Sequence, residues 1–275
     1  MPVSTTAAAA FDALTAPTES RAWRWAASGA IVGNIVLNFV SQRYPFNGQT
    51  NAQVSYKYPT LLTPAGYAFS IWGVIFLSLL AYAGWQLLPA QRRNPLPDAV
   101  ARPLVLANLL TGLWLVVFAY ELLPLSMVVM LGILASLAVV YDRARHVVRG
   151  GQAPWYSSVP FGLYLGWISV ATVVNVTLAL GTQWQPGAER SIELAIVLVG
   201  ITAGLALNVT KQFRELAYPA AVAWGLVGIW AARRPEADTL VLAWMALAAA
   251  GLVALVGLGL AWWGRGQEVG MKNEE

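Results

Sequence analysis

Long charge-free blocks, separated by short basic or proline-bearing segments, set the pattern of this chain. Apolar runs lie at about 23–41, 66–88, 102–120, 123–142, 157–181, 191–210, 216–232 and 239–263. Each is close to the length that crosses a bilayer at about 1.5 Å per residue. The pattern predicts an all-α integral membrane protein of about eight transmembrane helices. The seventh run is the shortest, and a re-entrant course there would change the side of the C-terminus. Residues 1–20 are rich in Ala, Thr and Ser, lack the basic start of a secretory signal, and read as a disordered tail. Residues 266–275 read as a polar tail.

Charge between the runs gives an orientation. Arg21, Arg24, Arg92, Arg93, Arg102, Arg143, Arg145, Arg149, Lys211, Arg214, Arg265 and Lys272 fall on one side; Arg43, Lys57, Arg190, Arg233 and Arg234 fall on the other. The basic excess predicts that both termini are cytoplasmic. The longest loop, 42–65, then lies outside the cytoplasm. It holds the turn dipeptide Asn47-Gly48 with several aromatics and prolines, and reads as a lid or as an ordered connector.

Composition narrows the chemistry. The 275 residues are 58% hydrophobic and 11% charged, with no cysteine, so thiolate catalysis, disulfides and cysteine metal sites are excluded. The single histidine, His146, sits among arginines, which leaves no material for a histidine metal centre. The net charge of +4 is juxtamembrane, so nucleic acid is not an expected partner. No acidic or basic side chain falls near the middle of a run, which counts against ion-coupled transport and proton pumping.

What the runs do contain is amide and indole. Asn34, Asn38, Asn108, Asn175 and Asn208 should each point into the bundle, because an amide facing lipid leaves its donors unpaired. Interhelical glue worth about 1 kcal/mol each is the plain account of them. At about 100° per residue, Phe69, Trp72 and Phe76 form one stripe on the second run. Tyr164, Trp167, Ala171, Val174, Asn175 and Leu178 form another on the fifth. These stripes serve either as packing or as the wall of a site for a flat, largely apolar ligand. About half of the 13 tryptophans fall at run ends, where indole favours the headgroup layer; Trp72, Trp114 and Trp167 lie inside. Gly162-x-x-x-Gly166 and Gly200-x-x-x-Gly204 permit close helix approach, within the chain or in a homodimer.

These residues resemble the TspO/MBR family of tryptophan-rich sensory or translocator proteins. In the second run, Pro64-Ala65-Gly66-Tyr67-Ala68-Phe69-Ser70-Ile71-Trp72 is similar to the family's proline- and aromatic-rich stretch, with Tyr67 in place of its leading Trp. In the fifth, Tyr164, Trp167, Ala171 and Asn175 keep the family spacing, with Val174 for Leu. The likeness covers about 21–182, a five-helix bundle, and leaves 183–265 as a three-helix C-terminal extension. Val139, Tyr141 and Arg143 also fit a generic cholesterol pattern.

The resemblance implies a membrane receptor or carrier that binds a flat hydrophobic ligand, porphyrin-, tetrapyrrole- or sterol-like. Its cavity would lie between the second, third and fifth runs beneath the 42–65 loop. Phe69, Trp72, Phe76, Asn108, Trp114, Tyr164, Trp167, Ala171 and Asn175 would line it. The expected partners are that ligand and membrane lipids, with no obligatory cofactor and no metal; a porphyrin or haem-like molecule would be guest rather than cofactor. No nucleophile–base pair points to an enzyme, although tryptophan photochemistry on a tetrapyrrole would need none. A secondary transporter of a small neutral metabolite and a structural membrane protein are the alternatives.

Overall fold

A computed structural model describes residues 5–58, 60–184 and 187–272, with side chains described only within 21–260. The tails read at 1–20 and 266–275 lie outside those side-chain limits. Helices run α1 Thr5–Arg43, α2 Asn51–Lys57, α3 Ile71–Trp85, α4 Pro95–Ala119, α5 Leu123–Arg149, α6 Val159–Gly181, α7 Ala188–Phe213, α8 Ala217–Arg233 and α9 Leu240–Lys272. Apart from the two-turn α2, a helix stands at each apolar run. Local chemistry marks several starts. Asn94 caps α4 by accepting from the Leu96 N–H at 3.0 Å, and Pro95 takes the first helical position. Thr50 and Gln53 make a reciprocal capping box that opens α2 inside the long loop.

Six helical segments among the described residues are long and apolar enough to cross a membrane, not eight. The two left out have physical reasons. Described α1 carries Arg24, Asn34 and Asn38, which lower its hydropathy, and α8 has 17 residues.

Five helices close a ring in which α1 packs on α3, α3 on α6, α6 on α5, α5 on α4, and α4 back on α1. The remaining three join through α8, which packs on α6, while α9 lies against both α8 and α7. Glycine makes the α6–α8 seam. A Cβ on Gly166 would stand 2.5 Å from the Tyr218 carbonyl oxygen and 2.8 Å from the Ala221 Cβ; one on Gly225 would meet Val170 at 2.9 Å. The Gly162–Gly166 pair is thus spent inside the chain. Gly200 and Gly204 have open space around them.

The basic end is tied by Arg24. Its Nε and Nη2 donate to the two carboxylate oxygens of Asp98, each at 2.6 Å, and Nη1 reaches the Gln91 carbonyl at 2.8 Å. This clamp holds α1 to the start of α4.

Candidate ligand site

The two predicted aromatic stripes meet. Trp72 lies edge-on to Tyr164 at 5.7 Å and to Trp167 at 6.5 Å between ring centroids. Phe69 meets Trp167 edge-on at 5.7 Å, and Phe76 lies 5.1 Å from Trp72. Such pairs contribute about 0.5–1.5 kcal/mol beyond the area they bury. Tyr164 and Trp167 are fully buried because α6 has neighbours on every side, whereas Trp72 and Phe76 are half-buried and Phe69 is exposed. The cluster therefore runs from the ring interior out to the flank of α3.

An uncharged polar node adjoins it. The Tyr164 hydroxyl and the Thr111 hydroxyl share a hydrogen bond of 2.5 Å, and Thr111 also donates to the Ala107 carbonyl at 2.8 Å. One turn along α4, Asn108 accepts from Asn34 at 3.0 Å and donates to the Leu104 carbonyl at 2.8 Å. Asn38 donates to the Asn34 side chain at 2.9 Å. Four of these side chains bridge α1, α4 and α6 in the interior of the bundle, where unpaired amides would be costly. Thr111 escaped the sequence reading, yet it stands three residues after Asn108 and so on the same face.

Other expected members stand apart. Trp114 stacks on Phe118 at 4.7 Å, nearer the long loop, and Asn175 accepts from Ser126 of α5 at 3.3 Å. Ala171 is half-buried on α6. Asn208 is exposed on α7 rather than turned inward, because that helix lies at the edge of the bundle. The cholesterol-type pattern also dissolves: Tyr141 is buried and donates to Glu215 at 2.9 Å, while Val139 is exposed.

The cavity expected beneath the loop is filled by the rings themselves, which touch one another directly. A nearby small recess, bordered by Leu62, Val170, Val174, Thr202, Leu226 and Ile229, measures about 10 Å³, room for one water at most. Buried indole N–H groups of Trp114 and Trp167 have no partner among the described residues.

The 42–65 loop covers the end opposite the Arg24 clamp. Val54 of α2 packs with Phe118, Leu123, Leu178 and Ala179, and Tyr58 and Trp114 border that apolar plug. Above it sits Glu121, held in the left-handed region at φ 57°. Gln49 donates to it at 2.7 Å, Lys57 at 2.7 and 2.8 Å, and Tyr58 through its hydroxyl. These donors, Gln49 first, bring the Glu121 carboxyl down to about 2. The same contact raises Lys57 and Tyr58.

An all-helical bundle with six apolar helices of spanning length defines a multi-pass membrane protein. The chain belongs to the family described as TSPO-like protein, which matches residues 24–259. That match continues past residue 182 into α9, so it takes in the three C-terminal helices together with the ring. No curated protein and no solved structure matches the chain.

Proposed function

We propose that this protein is a membrane receptor or carrier for a flat, hydrophobic molecule of tetrapyrrole or sterol type. The guest is taken up among α3, α4 and α6 beneath the 42–65 loop. In this reading all eight long helices cross the bilayer and both termini lie in the cytoplasm. The observation that carries it is the convergence of Phe69, Trp72, Phe76, Tyr164 and Trp167 beside a polar node without charge. Rings give stacking area; hydroxyls, amides and the free Trp167 N–H give directional contacts. Because the rings now fill the space, binding requires them to part. α3 is the element to move, since its stripe reaches the outer flank and its contacts with α1 and α6 are the sparsest in the ring.

Tryptophan quenching by protoporphyrin, and by a fluorescent sterol, tests this on purified protein in detergent. Saturable binding should weaken roughly three- to tenfold in both Trp72→Phe and Trp167→Phe. Saturable binding of unchanged affinity in both variants rejects the site. Ligand flux into reconstituted vesicles would separate a carrier from a receptor.

A further inference from the structure

At the basic end, far from the loop, a cleft of about 430 Å³ opens between the last turns of α5 and α7, lined by His146, Arg149, Gly150 and Phe213. Arg149 uses one amino group on the Gln212 carbonyl at 2.9 Å, and the rest of its exposed guanidinium has no partner among the described residues. Behind it lies Arg145, only 7% exposed. Arg145 donates to the Phe213 carbonyl at 2.8 Å and to Ser158 at 3.1 Å, and its Nε has no partner among the described residues. Lys211 and Arg214 flank Phe213 in sequence, and both are exposed.

The opposing charges are few and mostly committed. Glu215 is buried and accepts from the Ala217 and Tyr218 N–H groups and from Tyr141. Asp142 lies 3.4 Å from His146. Two helix C-termini bring partial negative charge here, but Arg145 and Arg149 already cap the Phe213 and Gln212 carbonyls. Arg149 is left with donors beside an apolar floor, with Phe213 edge-on to Tyr141 at 5.1 Å and to His146 at 6.2 Å, and Lys211 and Arg214 add exposed positive charge within two residues of Phe213.

We infer that this cleft binds a phosphate-bearing anion, and that its source is the headgroup of an anionic phospholipid. Guanidinium and ammonium groups suit phosphate oxygens. The cleft sits where two spanning helices end, and each helix carries exposed apolar side chains further along its length, Leu205 on α7 and Val139 on α5. Basic recesses at such a boundary take anionic headgroups. Scattered positive charge would serve topology equally well, but it needs no cleft and no guanidinium with an idle N–H.

The test is thermal stability and native mass spectrometry of the full chain in neutral detergent, with short-chain phosphatidylglycerol, short-chain phosphatidylcholine or inorganic phosphate added. Phosphatidylglycerol should bind saturably and lose affinity with salt, whereas phosphatidylcholine should not. Arg149→Gln and Lys211→Gln should each weaken binding roughly fivefold. Arg92→Gln/Arg93→Gln, two exposed charges of the same end, should leave it unchanged. Inorganic phosphate binding as tightly as the lipid would keep the phosphate site and assign it a soluble source. Equal binding of both lipids, or a full response in the Arg149→Gln/Lys211→Gln double variant, overturns the proposal. Melting of the unliganded variants at the parent temperature guards against a folding artefact.

Discussion

Replacing Gly166 by alanine tests the seam that joins the ring to the three C-terminal helices. The added methyl would stand 2.5 Å from a carbonyl oxygen of α8, about 0.9 Å inside an ordinary 3.4 Å contact, and 2.8 Å from the Ala221 Cβ. Neither neighbour can give way by changing rotamer, so α6 and α8 must separate. Separation also loosens Gly162 against Ala217 and Gly225 against Val170, one turn to either side. Overpacking of this kind costs about 1–3 kcal/mol. A glycine-to-alanine change in open space gains the same helix propensity, up to about 1 kcal/mol, so against such a control the loss shows in full. That corresponds to a melting temperature roughly 2–12 °C below the control's. Gly200→Ala and Gly204→Ala supply the control, because nothing lies within 4 Å of either position. Melting would be followed by tryptophan fluorescence in detergent. If Gly166→Ala melts with the Gly200→Ala control, the close seam is wrong and the glycine pair serves some other contact.

Other expectations are more local. Glu121 titrates near 2 in the folded protein, below the ordinary carboxylate value, so its contribution is complete above about 4.5 and is lost as pH falls through about 2. Amide exchange in α2 should accelerate over that window, and Glu121→Gln should show fast exchange at neutral pH without the acid step. Arg24→Gln leaves the Asp98 carboxylate and the Gln91 carbonyl short of donors, a loss of about 2 kcal/mol readable in denaturant unfolding; a midpoint like the parent's would contradict the clamp. Tyr164→Phe removes one shared hydrogen bond with Thr111 and should destabilise by about 1 kcal/mol, while Asn108→Leu, which strands Asn34, should cost more.

Much of the fold is legible because the membrane restricts the choices. With backbone polar groups forced to pair internally, every long apolar run became a helix, and the proline and asparagine before α4 marked its start. The meeting of Trp72 with Tyr164 and Trp167 was legible as two stripes at helical spacing. What periodicity could not supply was which neighbour each face would find. Asn108 and Asn208 look alike in sequence, but one lies in the ring and the other on the rim. Trp114 points along the same helix as Asn108 yet stacks on Phe118 toward the loop. Glu215, at a junction between apolar runs, carried no pattern that could predict its burial beneath Tyr141. The spanning count fell short for a related reason: the amides that make α1 useful to the node also make it less apolar.

Whether a flat hydrophobic guest enters among the rings of α3 and α6 is tested most directly by photolabelling in native-like bilayers with a sterol or porphyrin carrying a photoreactive group, followed by peptide mapping. Competed labels within residues 66–76 and 161–175 are the predicted result. Labels confined to the outward faces of α7 and α9, and insensitive to unlabelled competitor, would contradict it.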